Sequence, residues 1–444
     1  LTVNELDKST KEMQKKHPDI IKVKEIGKSR EGYPINCIKI GSGSKNALLF
    51  GCPHPNEPIG AMMLEYLVSV LAENKEFRES MDCTWYIIKC VDPDGTKLNE
   101  EWFKGPFSVS NYIQNFYRPA GYNQVEWTFP IDYKNLHFDK PLPETQALMQ
   151  IIEEIKPDFL YSLHNAGFGG VFWYITHDLK EIYPDLIKMV QEHNMPLHLG
   201  EPEIPACKNF ADAIYKMVGA EDIYDFYEQF SDIPPEVVYT RGTDSSSYAN
   251  RFKDCVCIMN EMPYFYDPRI EDMSESNMSR KEAIMIGLDN SYKHYKFLKE
   301  TIDEIDKYFS ENNPYILLVK ENIAAAMSAE QAQKKWAMQD EFNRKAKVSE
   351  VFDNILIKKF YDSLTIGLTA RAIQLEINNA KSDQSIYDSQ LITLKEKLSI
   401  INKYLVKTCD ELENELNYKV IPIQTLVRMQ LYSGLKVLDY ILNK

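Results

Sequence analysis

The sequence predicts two architectures in succession: a mixed-sheet α/β/α sandwich over residues 1–300 and an all-α helical bundle over residues 301–444. Two observations carry this. Short apolar runs of strand character alternate with helical periods through the first part. Proline, glycine and histidine then almost vanish: only Pro314 and Pro422 of 22 prolines, only Gly367 and Gly434 of 18 glycines, and none of the eight histidines lie beyond residue 300. Charge divides the same way. Residues 301–444 hold 19 basic and 20 acidic residues against 32 and 46 before them, so nearly all of the net −15 sits in the first part.

The strand-like runs are INCIKI (35–40), NALLFGC (46–52), WYIIKCV (85–91), FLYSLHN (159–165), VFWYIT (171–176) and CVCIMNE (255–261). Helical periods fall between them, including 58–74 and 143–156, where Pro58 and Pro143 stand where a first helical turn accepts proline. Segment 92–142 is long, irregular and aromatic, and reads either as a substrate groove or as a loop packed on its own rings. Beyond 300, VFDNILIKKFYDSLTIGL and LITLKEKLSIINKYLVKTCDELENEL keep apolar residues at three-and-four spacing, with breaks at Asn313-Pro314 and around Pro422. Four or five helices are expected.

Composition excludes several classes. A chain of 444 residues, 44% hydrophobic and 26% charged, is neither disordered nor a disulfide scaffold. No apolar run approaches the roughly 20 residues of a membrane span, and an acidic chain without a long basic run is a poor partner for nucleic acid. Eight sparse cysteines suit a reducing compartment. Cys255 and Cys257, on one face of a strand, read as buried thiols. LTVNELDKST carries no signal pattern, so the expected location is cytoplasmic, with a segment removed upstream of residue 1 left open.

The chemistry concentrates at strand ends. LLFGCPHPNEPIGAMMLEYL runs from a strand through a proline-punctuated turn into a helix and presents His54 and Glu57, an imidazole and a carboxylate able to grip one zinc ion. FLYSLHNAGFGG ends a second strand in His164. Three N/O ligands with a fourth position open make a catalytic zinc site. Glu261 ends a third strand, where a carboxylate can take the proton of an attacking water and deliver it to a leaving amine. His193 and His198, five apart, are weak candidates for a second metal.

Over residues 20–270 the chain resembles the M14-type zinc carboxypeptidases. EIGKSREGYPINCIKIGSGSKNALLFGCPHPNE is similar to the family's approach to its first two ligands, VDPDGTKLN to its Asn-Pro-Asp-Gly segment, and SLHN to its third-ligand strand. The resemblance implies one zinc ion at the sheet edge on His54, Glu57 and His164, with Glu261 as general base. It further implies Arg118 as the cation that stabilises the oxyanion, Asp132 as the carboxylate orienting the first zinc histidine, and Tyr239, 22 residues before Glu261, as a mobile capping tyrosine for which Tyr248 competes. The family's Asn-Arg pair, which clamps a terminal carboxylate bidentately, is missing: the segment reads Asp132-Tyr133-Lys134-Asn135-Leu136, leaving Lys134 as a point charge and Asn135 as a hydrogen bonder. Pro55 and Asn56 likewise replace the family's basic substrate contact. TRGTDSSSYANR (240–251) is expected to line the specificity pocket, with Ser246 or Asp244 on its floor, unless it is a solvated loop.

The expected activity is therefore zinc-dependent removal of a C-terminal amino acid from a peptide. The alternative in the same fold is an amidohydrolase or deacylase acting on a small N-acyl amide or modified peptide. A non-catalytic peptide-binding scaffold is disfavoured because no ligand and no base is lost. The helical part is read as a cap, a substrate-delivery module, or a contact for a homo-oligomer or a partner protein.

Overall fold

The computed structural model describes residues 1–382 and 388–444. Nine strands form one mixed sheet: β1 (Lys22–Lys28), β2 (Pro34–Ile40), β3 (Lys45–Gly51), β4 (Cys83–Ile88), β5 (Phe159–Leu163), β6 (Phe172–Ile175), β7 (Asn209–Ala211), β8 (Ile214–Lys216) and β9 (Val256–Glu261). Their order is β1-β2-β4-β3-β5-β9-β6-β8-β7. β3, β4, β5 and β9 run parallel, and β6 returns antiparallel to β9. The central runs KNALLFG and FLYSL are buried along nearly their whole length, the pattern of strands covered on both faces.

The longer helices are α1 (Val3–Lys16), α2 (Ile59–Glu73), α3 (Pro143–Ile155), α4 (Tyr183–Glu192), α5 (Arg280–Asp303), α6 (Pro314–Trp336), α7 (Lys358–Ser382), α8 (Asp388–Glu415) and α9 (Ile423–Leu442). Each start has a local cause. Pro143 opens α3 at its first turn. Ser279 and Glu282 close a reciprocal cap on α5, and Asn313 accepts from the amides of Tyr315 and Ile316 at the head of α6. Before α7 the helix passes through a π turn, Asp353–Ile357. Among the described residues, no helix is long and apolar enough to cross a membrane. All eight cysteines are free, with Cys255 and Cys257 buried.

Residue 300, the boundary read from composition, falls inside α5, and the segments after it return to the sheet. α9 packs on α2, β5 and β9, burying Leu426, Met429, Val437 and Leu438 completely. It lies close enough that a Cβ at Gly434 would stand 2.6 Å from the Tyr161 ring. Three hydrogen bonds fix its register: Tyr161 Oη donates to the Gln430 carbonyl (2.9 Å), Trp173 Nε1 to Ser433 Oγ (3.1 Å), and Gln430 Nε2 to the His164 carbonyl (2.6 Å). α7 docks on the aromatic segment, where Arg371 donates to the carbonyls of Leu98, Asn115 and Phe116. Within that segment Trp102, Phe103, Tyr112 and Tyr117 are buried, and Tyr112 stacks on Phe360 of α7 at 5.9 Å. Most of its rings thus pack as core.

Removing α9 exposes apolar sheet surface and leaves the Tyr161 and Trp173 donors unpaired. A chain ending at residue 422 is expected to lose its cooperative thermal transition, and Gly434→Leu to cost about 1–3 kcal/mol through overpacking against Tyr161. Calorimetry and urea unfolding read both. An unchanged melting temperature for the shortened chain would show that the sheet stands without α9.

Candidate metal and catalytic site

The parallel register sets three strand ends side by side. Gly51 of β3 pairs with Leu163 of β5, and Leu163 with Asn260 of β9. Ligands in open α/β sheets gather at this carboxyl edge. Directly beyond these positions the chain presents the His54–Glu57 turn, His164 and Glu261. α2 begins against β5, where a Cβ at Gly60 would meet the Leu163 Cβ at 2.5 Å. That approach brings Glu57 beside His164.

His54, Glu57 and His164 offer ligand atoms that lie within 4.8 Å of one another, and among the described residues they are the only group of three or more with that geometry. His54 Nδ1 is 3.1 Å from Glu57 Oε1, and His164 Nδ1 is 2.9 Å from Glu57 Oε2. The two rings meet edge to face at 4.7 Å. All three side chains are buried. His164 Nδ1 has no hydrogen-bond partner, although a buried nitrogen is almost always satisfied. Two imidazoles, one carboxylate and an orphaned buried nitrogen directed at it fit a zinc ion with one position left open.

Electrostatics follow from burial and charge. Burial pulls His54 down to about 4, with Arg118 adding to the effect. At His164 the same burial is outweighed by Glu57 and Glu126, which hold that ring up to about 10. Burial also opposes a charge on Glu57, yet His54, Arg118 and His164 face it and keep its carboxyl well below the ordinary range. Glu261, 7% exposed and 3.9 Å from His164 Nδ1, is pushed well up by burial and by Glu57 and Glu203. A carboxylate whose proton affinity is raised in this way is suited to accept a proton and pass it on.

Arg118 stands in the same pocket. It donates through Nε to Asn56 Oδ1 (2.9 Å) and through Nη2 to Glu57. Asn56 donates in turn to Tyr112 Oη at 3.1 Å. The residue that stands in place of the family's basic contact thus orients the arginine. Asp244 lines the pocket too, but Ser246 N, Ser246 Oγ, Ser247 N, Ser247 Oγ and Thr243 Oγ1 all donate to its carboxylate, which caps the helix Ser245–Ala249. Ser246 is buried beneath it and does not line the pocket.

Four predicted residues lie elsewhere. Asp132 does not back His54. In the hairpin strand Ile131–Tyr133 the inward position belongs to Ile131, so alternation turns Asp132 outward, 85% exposed and 2.6 Å from His137. Lys134, at the hairpin tip with φ 50°, reaches Asp225 and Glu228 at 2.7 Å each, and exposed Asn135 faces Glu236 at 3.5 Å. Neither reaches the pocket. Tyr239 is buried with Ile131, Leu136, Ala220 and Tyr224, its hydroxyl donating to the Gly242 carbonyl (2.8 Å). Tyr248 donates to Glu153 and is also away. His198 pairs with Asp353 at 2.9 Å rather than with His193.

Sequence reasoning missed Glu126, the carboxylate that does stand behind a histidine of the candidate metal group. It is 2% exposed and lies 3.9 Å from His164 Nε2, with Ser162 Oγ between them, 2.9 Å from the ring. Ser162, Ser245 N (2.8 Å) and Ser245 Oγ (3.0 Å) all donate to it. Its signal was an acid inside the apolar run VEWTF, a place where a charge persists only if partnered. Tyr361 and Leu364 of α7, and Glu203 of the loop before β7, also line the pocket; they carry no local signature.

Residues 6–221 match the model of the zinc carboxypeptidase family (peptidase M14), a range that holds His54, Glu57, Arg118, Glu126 and His164 and ends before Glu261. The carboxypeptidase A of Helicoverpa armigera is 16% identical, with 60% of this chain and 64% of that one covered at a TM-score of 0.38. A metallo-carboxypeptidase of Burkholderia cenocepacia is 16% identical, with 61% of each chain covered at a TM-score of 0.37. The chain thus spans less than two thirds of the length of either.

Carboxylates behind metal-bound histidines typically account for 10- to 100-fold in metal affinity. Glu126→Gln is expected to weaken zinc binding by about that factor, measured by competition with a chromophoric chelator. An unchanged affinity would reduce Glu126 to a structural partner of Ser245.

Proposed function

We propose that this chain, whose residues 6–221 match the zinc carboxypeptidase family model, is a zinc-dependent hydrolase that cleaves an amide bond in a small N-acyl amide or modified peptide. The observation that carries the reading is one pocket holding His54, Glu57 and His164 together with Glu261 and Arg118, and, among the described residues, no further arginine or lysine. A zinc ion held there supplies Lewis acidity, polarising a carbonyl and making water a nucleophile near neutral pH.

The chain's own residues do the rest. Glu261, at the end of β9 and largely screened from solvent, takes the water's proton and returns it to the departing nitrogen. Arg118, held by Asn56 and Glu57, points a fixed cation at the developing oxyanion. Such preorganised charge is commonly the largest single catalytic contribution. Asn56 and Tyr112 keep the guanidinium from relaxing away, which is where their value lies.

Charge favours the amide reading over strict carboxypeptidase action. Among the described residues, Glu57, Glu126, Glu203, Asp244 and Glu261 line the pocket against the Arg118 guanidinium and the two histidines. A terminal carboxylate on the released residue would find no fork to bind it, since Lys134 and Asn135 are on the distant hairpin and Phe129, buried in the same segment, is apolar. Release of a C-terminal amino acid is the second reading, supported by the family match.

Peptides with free and amidated C-termini, incubated with zinc-loaded enzyme and read by mass spectrometry, separate the two. Release from amidated or acylated substrates at least as fast as from free ends is expected, and release from free ends alone would overturn the amide reading. Glu261→Gln is expected to lower kcat roughly 100- to 10,000-fold and Arg118→Met roughly 100- to 1,000-fold, with zinc content unchanged. Full activity in Glu261→Gln would remove it from the chemistry.

A further inference from the structure

A second cavity, of about 390 Å³, opens beside the metal pocket, which is about 200 Å³. The two adjoin: Arg118, Glu203 and Tyr361 line both. The catalytic half contributes Phe168 and Phe172 to the second cavity, and the helical segment contributes Ile284 and Leu288 of α5, Trp336 of α6 and Ile357 of the π turn. The metal pocket alone is below the range of about 300–1,000 Å³ usual for small-molecule sites, and the two taken together fall within it.

We propose that this second cavity is the acyl-side limb of the substrate site, built by the helical segment to take an apolar acyl group. The inference rests on the reading of His54, Glu57, His164 and Glu261 as the reacting centre. Chemistry fixes the direction. The departing nitrogen must lie beside the group that protonates it, and Glu261 lines the first pocket and not the second. The carbonyl must lie beside Arg118, which stands at the junction. The limb on the far side of that carbonyl therefore points into the second cavity.

The lining selects for apolar character because most of its charges are already satisfied. Glu201 is bound by Arg280 (2.8 Å), Asp353 by His198 (2.9 Å) and by the Glu201 amide (2.7 Å), and Asp362 by Ser291. Glu203, at the junction, Lys358 and the hydroxyl-bound Asp362 are the lining charges that form no ion pair among the described residues. Tyr361 closes the seam. Its hydroxyl donates to the Phe168 carbonyl (3.0 Å) and accepts from the Phe168 amide (3.3 Å), tying α7 to the loop that follows His164.

The test is calorimetric titration of zinc-loaded Glu261→Gln with N-acyl-alaninamides whose acyl chain grows from acetyl to octanoyl. Affinity is expected to rise about fourfold per methylene buried until the cavity is filled. In the Glu261→Gln background, Gln333→Trp places a ring in the cavity without removing a core side chain and should abolish the rise while leaving the acetyl compound's affinity unchanged. Trp336→Ala should weaken the long acyl compounds alone. A flat chain-length profile, or a loss shared equally by short and long compounds in both variants, would overturn the proposal. Failure of the catalytic reading looks different: the series binds with rising affinity, yet zinc-loaded enzyme with Glu261 intact hydrolyses none of it.

Discussion

The site depends on one constraint, the parallel in-register alignment of β3, β5 and β9. Gly51, Leu163 and Asn260 stand abreast in the sheet, and each strand delivers its functional side chain within a few residues of that line. A slip of one residue in any of the three would turn the side chains of that strand to the opposite face. The alignment is enforced by burial. Each strand is flanked on both sides and covered by helices, so a shifted register would put polar atoms into core occupied by residues such as Leu48, Leu160 and Ile258.

Within that frame Glu57 is the costly residue. A carboxylate 2% exposed is stable only if its charge is compensated, and Glu57 is faced by two imidazoles, a guanidinium and the Asn165 amide at 3.4 Å. Its Oε1 is shared between His54 and Arg118, while its Oε2 faces His164. The metal ligand and the anchor of the arginine are therefore one group. Occupancy of Glu57 by a metal would thus be coupled to the placement of Arg118, since both draw on the same carboxylate.

The sequence made legible what local pattern specifies. His54 and Glu57 share one turn, and His164 and Glu261 each close an apolar run of strand length, so counting from the strand suffices. In the irregular stretches 92–142 and 200–250 counting reached Arg118 and Asp244, which do line the pocket, but failed for others, because each extra residue displaces the guess. Asp132 was expected to orient His54 and lies on an exposed hairpin, while the buried carboxylate that does stand behind a histidine of the group, Glu126 behind His164, was not foreseen. Tyr239 and Lys134 were placed by spacing alone and belong to an apolar cluster and a hairpin tip. The return of α9 to the sheet had no local signature, because an amphipathic helix reads the same whether it covers a bundle or a strand.

That return changes what the helical segment is to the rest of the molecule. α9 holds the carbonyl of His164 through buried Gln430, so the backbone of a candidate zinc ligand is anchored by a residue 266 positions later. α7 holds the loop after His164 through Tyr361 and the aromatic segment before Arg118 through Arg371. The helices therefore fix the segments beside two of the groups that must be held to a few tenths of an ångström for the chemistry to proceed. A segment that only recruited a partner would have no need of such contacts. These contacts argue that the helical segment and the sheet form one packed body, with the candidate metal pocket and the cavity beside it lying along their seam.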